Sequence, residues 1–225
     1  MRREIITGGR SLVDLLFPRR CVVCGRQLLL FEKHICLECM AELPLTYFWK
    51  WRKEGFCSLF YYSGNYRKIL YSLKYRSNVQ LALYMGRLLG QKLKEGNILP
   101  DYIIPVPLHY LKRWKRGYNQ SYVIARGIRK ELGKEVAVRQ LLKRRRFTKT
   151  QTRKERRDRW LNVHDAFGLK PCSPRAIERY ARMLKGKEVL IVDDVLTTGA
   201  TANACRTLLQ QFDCRIWIAT LAYVE

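Results

Sequence analysis

Two adjacent carboxylates, Asp193 and Asp194, follow an unbroken apolar run in the segment VLIVDDVLTTGAT. They precede a turn made of Thr197, Thr198, Gly199, Ala200 and Thr201. Threonine hydroxyls and the free N–H groups at a helix start bind phosphate, and a glycine lets the backbone approach it closely. Because carboxylates repel phosphate, we expect them to face sugar hydroxyls beside it, or a Mg²⁺ ion acting through them. The segment therefore predicts a sugar-phosphate site, although a strand end before a threonine-capped helix is the simpler alternative.

Four of the eight cysteines form two C-x-x-C pairs in the first fifth of the chain. They are Cys21, Cys24, Cys36 and Cys39. Two such pairs converge on one tetrahedral Zn²⁺, and four thiolates leave no position for water, so a structural zinc is favoured over a disulfide or redox role. His34, between the pairs, is an alternative ligand or an ordinary surface histidine. The other cysteines are expected to pack as small apolar residues: Cys57, Cys172, Cys205 and Cys214.

The chain is strongly basic, with 44 Lys and Arg against 19 Asp and Glu and a formal charge of +25. This charge favours a polyanionic partner, nucleic acid first. Ten Lys or Arg lie between Lys143 and Arg159, and LKRWKRGY alternates cations with aromatic rings that can stack on the bases of single strands. The candidate nucleic-acid-binding residues are Lys112, Lys115, Arg144, Arg145, Arg146, Arg153 and Arg156. A solvated basic face, with some of the aromatic rings in the core, is the alternative.

These residues need elements to position them, and apolar runs alternate with amphipathic stretches from residue 56 onward. Strands are predicted over 57–62, 101–107, 135–141, 164–169, 187–194 and 214–224, and helices over 66–75, 81–94, 121–132 and 201–212. This alternation predicts an α/β fold with a mostly parallel sheet flanked by helices. Ligands bind such sheets at the carboxyl ends of the strands, which is where the two aspartates lie.

The chain divides into three predicted parts. Residues 1–45 form an N-terminal helix and a small zinc knuckle, 46–60 a linker or strap, and 61–225 the main domain. Leu12, Leu15 and Leu16 place the helix before the knuckle. No apolar run approaches the roughly 20 residues that span a bilayer, and no signal peptide is recognised, so we expect a soluble cytoplasmic protein.

Three segments together resemble a known family. VLIVDDVLTTGAT resembles the phosphoribosyl-diphosphate (PRPP) motif of type I phosphoribosyltransferases, and PVPLHYLKRWKRGYNQS and TQTRKERRDRWLNVHDAF are similar to ComF-type competence proteins. The zinc knuckle belongs to the same pattern, so the chain is identified as a member of the ComF family. The resemblance implies a phosphoribosyltransferase-like domain in which Asp193 and Asp194 hold the ribose hydroxyls, residues 197–201 surround the 5-phosphate, and Mg²⁺ accompanies PRPP.

The resemblance leaves two functions open. ComF-type proteins are implicated in handling single-stranded DNA during natural transformation, which implies single-stranded DNA as a partner. An active phosphoribosyltransferase with Asp193 and Asp194 as catalytic residues is the alternative. The zinc knuckle either docks a helicase or translocase of the uptake machinery or staples a segment too small to hold its own core.

The loop expected to hold the diphosphate departs from the phosphoribosyltransferase pattern. Pro105 and Pro107 remove N–H donors there. The expected side-chain donors are instead Lys74, Arg113 and Arg116, and residues 143–159 resemble the basic loop that closes over PRPP. The sequence therefore favours binding of PRPP, or a related sugar phosphate, over turnover.

Overall fold

The structure, a computed structural model, describes residues 18–46, 55–145 and 166–225. The predictions for the N-terminal helix and for Arg146, Arg153 and Arg156 lie outside these ranges. Within them, no helix is long and apolar enough to cross a membrane.

A five-stranded, all-parallel sheet forms the centre of the fold. The strands in the described ranges are β1 Phe56–Tyr61, β2 Tyr102–Pro105, β3 Ala137–Val138, β4 Leu142–Arg144, β5 Phe167–Leu169, β6 Glu188–Leu196 and β7 Arg215–Tyr223. The sheet order is β1-β7-β6-β2-β3, whereas β4 and β5 form a separate antiparallel pair. The predicted mostly parallel sheet is confirmed. Residues 56–60, which the sequence places in the linker, belong in the structure to β1, which pairs with β7 in this sheet.

Strand β6 is buried on both faces, as its unbroken apolar run predicts. Leu190 and Val192 pack into one hydrophobic cluster, whereas Val189 and Ile191 pack into the cluster on the other side of the sheet. The strand continues beyond the predicted end at residue 194, because β7 pairs with it up to Leu196. Both aspartates therefore lie inside β6, just past its last pair with β2 at Val192.

Helices cover both faces of the sheet. The helices in the described ranges are α1 Leu37–Ala41, α2 Arg67–Tyr75, α3 Val79–Glu95, α4 Tyr110–Arg116, α5 Gln120–Leu132, α6 Pro174–Leu184 and α7 Ala200–Gln210. Residues of α2, α3 and α5 belong to the hydrophobic cluster on one face of the sheet, and residues of α6 and α7 belong to the cluster on the other. The four predicted helices are confirmed in α2, α3, α5 and α7, and α4 and α6 were not predicted. The predicted strand at 135–141 is reduced to the two residues of β3.

Helices α3 and α5 approach closely because glycines face each other between them. A Cβ on Gly127 would lie 2.4 Å from the Leu83 carbonyl oxygen and 2.8 Å from the Gly86 Cα. A Cβ on Gly86 would lie 2.3 Å from the Ile124 carbonyl oxygen. Backbone atoms, which cannot rotate away, make both contacts, so this spacing fixes α5 against α3.

The zinc knuckle packs directly on the main domain. Its buried residues, including Cys36 and Ile35, belong to the same hydrophobic cluster as α3. The Tyr66 hydroxyl donates to the Cys39 carbonyl at 3.0 Å, and Lys68 Nζ donates to the Val23 carbonyl at 3.0 Å. The knuckle therefore shares the main core rather than standing apart from it.

The segment after the knuckle runs along the outer edge of β1. Leu45 pairs antiparallel with Phe60, and the Tyr61 N–H donates to the Pro44 carbonyl at 2.8 Å. Thr46 donates from its N–H to the Leu59 carbonyl at 3.1 Å and from its hydroxyl to the Ser58 carbonyl. These bonds use backbone groups that an edge strand would otherwise leave open.

The cysteines outside the knuckle follow the prediction with one exception. Cys57 and Cys205 are buried and Cys214 is half-buried, whereas Cys172 is exposed. The expectation for Cys172 was wrong because this residue lies in the turn between β5 and α6, away from both clusters.

Candidate functional site

The four knuckle cysteines converge on one point. The Sγ atoms of Cys21, Cys24, Cys36 and Cys39 all lie within 4.8 Å of one another. The Cys24 and Cys36 sulfurs are 3.8 Å apart, which matches the edge of about 3.8 Å that a tetrahedron with Zn–S bonds of about 2.3 Å requires. His34 lies outside the cluster, with its ring 5.6 Å from that of Tyr84. The donor set therefore fits a structural zinc.

Backbone N–H groups of the knuckle point at the sulfurs. The Cys36 N–H donates to Cys21 Sγ at 3.4 Å, and the Cys39 N–H donates to Cys36 Sγ at 3.5 Å. Burial opposes the charge on Cys21, but hydrogen bonds from the backbone of Cys24, Cys36 and Val23 outweigh it and lower the thiol pKa to about 6. Such bonds stabilise the thiolate form that binds metal.

A second site is a cleft of about 200 Å³ at the carboxyl ends of β2 and β6. Both aspartates line it, together with four cations, Lys74, Lys112, Arg116 and Arg144. Its uncharged polar lining consists of Asn119, Gln120, Ser121, Thr197 and Thr201. The lining thus combines hydroxyl, carboxylate and cationic groups, which suits a ligand that carries both hydroxyls and phosphate.

Asp193 is held by two hydrogen bonds to a single carboxylate oxygen. Its Oδ1 accepts from the Ser121 hydroxyl at 3.0 Å and from the Asp194 N–H at 2.9 Å. Burial and the neighbouring Asp194 carboxylate raise the pKa of Asp193 to about 7, despite these bonds and Lys74. No described residue donates to Oδ2, which can accept a hydrogen bond from a ligand hydroxyl.

Asp194 forms an ion pair with Lys74 across the cleft. Lys74 Nζ lies 3.0 Å from Asp194 Oδ2, and the two side chains are 22% and 11% exposed. Burial opposes the charge on Lys74, but Asp194 and then Asp193 outweigh it and raise the pKa of the ammonium. The predicted diphosphate donor Lys74 is therefore in the cleft, with its charge directed to a carboxylate.

The threonine turn borders the cleft at one end. Gly199 has φ +72, the left-handed region that glycine adopts without strain, and the Ala200 N–H that follows donates to Thr198 Oγ1 at 3.5 Å. Thr197 and Thr201 line the cleft, while Thr198 and Gly199 are not part of its lining. The N-terminus of α7 begins here at Ala200.

The loop after β2 offers few backbone donors at its start. The Val106 N–H donates to the Val192 carbonyl at 2.9 Å, so the sheet already uses it. Pro105 and Pro107 have no N–H. Three consecutive residues therefore have no N–H available for a diphosphate.

Helix α4 separates the predicted cations into two groups. Lys112 and Arg116, one turn apart, line the cleft, whereas Arg113 and Lys115 are exposed and are not part of its lining. Of the three predicted diphosphate donors the structure thus brings Lys74 and Arg116 together and leaves Arg113 apart.

The aromatic residues around α4 are divided in the same way. Tyr110 and Trp114 are 70% and 88% exposed. Tyr118 is instead partly buried, and its hydroxyl donates to the Leu73 carbonyl at 2.7 Å. Of these three aromatic rings, those of Tyr110 and Trp114 are therefore accessible for stacking.

The antiparallel β4–β5 pair brings a further cation to the cleft. Arg144, predicted as a nucleic-acid contact, lies with its guanidinium 5.1 Å from the centre of the Phe167 ring and lines the cleft. Arg145, next along the chain, is exposed.

Ser121 and Gln120 are not among the predicted site residues, yet both line the cleft. They begin α5, where Asn119 caps the helix by accepting from the Ser121 N–H at 3.1 Å. The sequence contained a signal for them. Asn119 is a typical helix cap, and a helix that starts after a strand and its loop begins at the ligand-binding edge of the sheet.

Comparison with known proteins gives two family matches and a set of relatives. The phosphoribosyl transferase domain family matches residues 117–225, and the double zinc ribbon domain family matches residues 12–49. Lys74 and the β2 loop lie outside both ranges. Competence protein F of Haemophilus influenzae is 27% identical over 205 residues, which are 88% of this chain and 82% of that protein.

DNA utilization protein YhgH of Salmonella typhi is 32% identical over 146 residues, which are 63% of this chain. The match covers 59% of the length of that relative. Among solved structures, an allosteric regulatory enzyme of purine biosynthesis overlaps 61% of this chain and 26% of its own at 17% identity, with a TM-score of 0.38.

Proposed function

The chain belongs to the ComF family of competence proteins and carries a phosphoribosyltransferase domain, and from this premise we propose that it handles single-stranded DNA during natural transformation. We propose in addition that its cleft binds PRPP or a related sugar phosphate. The family membership supports a role with DNA, and the arrangement of α4 supports single strands over duplex as the form that is bound.

Helix α4 presents a basic and aromatic surface that the rest of the described structure does not bury. None of its seven residues is buried, and Tyr110 and Trp114 lie one turn apart among Arg113 and Lys115. Aromatic faces stack on unpaired bases, and cations one turn apart contact the phosphates on either side. In a duplex the base faces are already stacked, so this surface favours single strands.

Fluorescence anisotropy with labelled single-stranded and duplex oligonucleotides at physiological salt tests this proposal. Trp114→Ala should weaken single-strand binding about 5- to 100-fold, because stacking contributes about 1–3 kcal/mol per base. Leu99→Ala, which also removes an exposed apolar side chain but lies outside α4, should bind like the wild type. Equal affinity for the two forms, or binding that vanishes at physiological salt, would count against the proposal.

The cleft supports the sugar-phosphate part of the proposal. Thr197 and Thr201 stand at the N-terminus of α7, where a phosphate is favoured, while the two aspartates stand beside it where hydroxyls are needed. Isothermal titration with ribose 5-phosphate should give saturable binding, which Thr201→Val should weaken because the valine keeps the shape and removes the hydroxyl.

An active phosphoribosyltransferase is the second candidate. It is favoured by Asp193, whose pKa of about 7 suits proton transfer near neutral pH, and opposed by the shortage of N–H donors after β2. It predicts Mg²⁺-dependent release of diphosphate from PRPP with an acceptor present, and loss of that release in Asp193→Asn or Asp194→Asn. A broad panel of acceptors that yields no diphosphate would exclude this activity.

The zinc knuckle has a proposed protein partner, a helicase or translocase of the uptake machinery. Leu29, Leu30 and Phe31 form an exposed apolar loop on the knuckle. Loss of co-purification with such a motor protein on Phe31→Ser, with DNA binding unchanged, would support this role.

A further inference from the structure

The ion pair between Lys74 and Asp194 occupies the place where a magnesium ion is expected. We propose that the Lys74 ammonium substitutes for Mg²⁺ at Asp194, so that the cleft binds a sugar phosphate without a divalent cation. This inference rests on the proposed sugar-phosphate binding and concerns only how the cleft balances the charge of that ligand.

The position of Lys74 is fixed by the elements around it. The carbonyl of Leu73, the preceding residue, accepts from the Tyr118 hydroxyl at 2.7 Å and from Gln120 Nε2 at 3.2 Å. These bonds tie the end of α2 to the start of α5, next to β6. The Lys74 side chain therefore extends from a backbone that is held in place, and this fixed backbone positions Nζ at 3.0 Å from Asp194 Oδ2.

The two carboxylates offer little to a magnesium ion. Mg²⁺ takes six oxygen ligands in a near-ideal octahedron and loses water reluctantly. Asp194 Oδ2 already contacts the ammonium, and Asp193 Oδ1 already accepts two hydrogen bonds. A cation at Oδ2 of Asp194 would have to displace Lys74, and a cation at the remaining carboxylate oxygens would lie close to the positive ammonium, which repels it. These residues therefore do not fit the ion that the resemblance implies.

The charge of the cleft points the same way. Among the described residues that line the cleft, Lys74, Lys112, Arg116 and Arg144 carry four positive charges against the two aspartates, so this part of the lining has a net charge of about +2 when every group is ionised. Burial and the neighbouring cations Arg144, Arg116 and Lys74 lower the pKa of Lys112, as expected where positive charge is in excess. A phosphate therefore meets its counter-charge on the protein, whereas Mg²⁺ would add two charges to a site that is already positive.

Lys74 also acts on the sugar end of the ligand. With the ammonium on Oδ2, the carboxylate of Asp194 is held in one orientation, and the other oxygen of each aspartate, Oδ1 of Asp194 and Oδ2 of Asp193, can accept a hydrogen bond from a ribose hydroxyl. The positive charge that Mg²⁺ would bring to the hydroxyls is supplied by a side chain that is always present.

Ribose 5-phosphate is the probe that tests the inference, because the diphosphate of PRPP binds Mg²⁺ itself. Isothermal titration is run in metal-free buffer and again with millimolar Mg²⁺, without a chelator that would remove the zinc. The Kd of the wild type should agree within about twofold between the two buffers. Lys74→Met should weaken binding by about tenfold or more in metal-free buffer, and added Mg²⁺ should restore it in part.

Two further variants complete the test. Lys94→Met removes the same charge from an exposed position of α3 outside the cleft and should behave as the wild type. Lys74→Arg keeps the charge and should keep binding independent of Mg²⁺. Wild-type binding that weakens tenfold without Mg²⁺ would overturn the inference and leave the proposed function intact, even if Lys74→Met does not fold. No binding of ribose 5-phosphate in either buffer would instead overturn the proposed function, and the inference with it.

Discussion

Asp193 and Asp194 are neighbours in the chain but have different surroundings. Asp194 has a lysine ammonium at 3.0 Å, whereas Asp193 has only neutral hydrogen-bond donors at its Oδ1. Burial disfavours the charge on Asp193 and the adjacent Asp194 carboxylate repels it, so the pKa of Asp193 rises from 3.8 to about 7. The folded protein therefore holds a proton at Asp193 that an unfolded chain would have released.

This proton makes the stability of the protein depend on pH. At Asp193 the folded state binds more protons than the unfolded state between about pH 4 and 7, so the contribution of this residue to the free energy of unfolding falls as the pH rises through this window and levels off above it. Asp193→Asn removes the charge, while its Oδ1 can still accept from Ser121 and from the Asp194 N–H. The stability advantage of this variant over the wild type should grow by about 2 kcal/mol from pH 5 to pH 8.

Urea denaturation at the two pH values measures the difference. Asp213→Asn makes the same substitution at an exposed position and should leave the pH profile as in the wild type. Parallel profiles for Asp193→Asn and the wild type would show that Asp193 is ionised throughout this range.

At the scale of elements, the close packing of α3 and α5 decides where the cleft residues lie. Helix α5 begins with Gln120 and Ser121 in the cleft and reaches Gly127 two turns later, against the Leu83 carbonyl. Any widening of this contact moves the start of α5 away from Asp193. The helix pair therefore links core packing to the geometry of the site.

Gly127→Ala should destabilise the protein by about 1–3 kcal/mol, because the added methyl group meets backbone atoms. This cost exceeds the roughly 1 kcal/mol that alanine gains over glycine in a helix. The variant should also bind ribose 5-phosphate more weakly, through the shift of Ser121. Chemical denaturation and isothermal titration measure the two effects.

Gly96→Ala is the matched control at the end of α3, where the nearest atoms to a new Cβ lie at 3.4 Å and φ is −80. It should change the free energy of unfolding by less than about 0.5 kcal/mol. If Gly127→Ala were equally neutral, α3 and α5 would have to be able to move apart at little cost, and the prediction would be wrong.

The elements also show which structure can be predicted from sequence. Strand β6 was predictable because a strand buried on both faces has an unbroken apolar run, and helix α7 was predictable because burial of one helix face gives apolar residues a helical period. Helix α6 carries the same kind of signal, with Ala176, Tyr180 and Leu184 buried at intervals of four, and was overlooked. Helix α4 buries none of its residues, so hydrophobic periodicity could not predict it.

What the sequence could not predict in the site is the pairing of distant residues. The threonine turn and the two aspartates were predicted together because they are adjacent in the chain. The Lys74–Asp194 pair joins α2 to β6, and the approach of Ser121 to Asp193 joins α5 to β6. Such contacts depend on how the helices pack on the sheet, which local patterns do not determine.

At the scale of the whole molecule, the zinc knuckle and the sheet share one core. Zinc removal, or Cys39→Ser, should therefore lower the melting temperature of the entire protein, by about 10 °C or more if several kcal/mol are lost. Calorimetry should show a single transition that moves as a unit. Cys214→Ser, at a half-buried cysteine outside the metal cluster, should leave the transition almost unchanged.

A different result would assign the knuckle a separate role. If chelation removed a small, early transition and left the main one in place, the knuckle would be an independent module available for docking a partner.

The segment Pro44–Thr46 along β1 has a consequence for aggregation. The other outer strand of the sheet, β3, has only two residues, and so offers little template for pairing with another chain. Strand β1 has six residues, and in the described part of the chain the segment that leaves the zinc knuckle is what pairs with its outer edge. If loss of the metal releases that segment, a long edge strand becomes exposed, and zinc-depleted protein is then expected to form intermolecular β-sheet through β1.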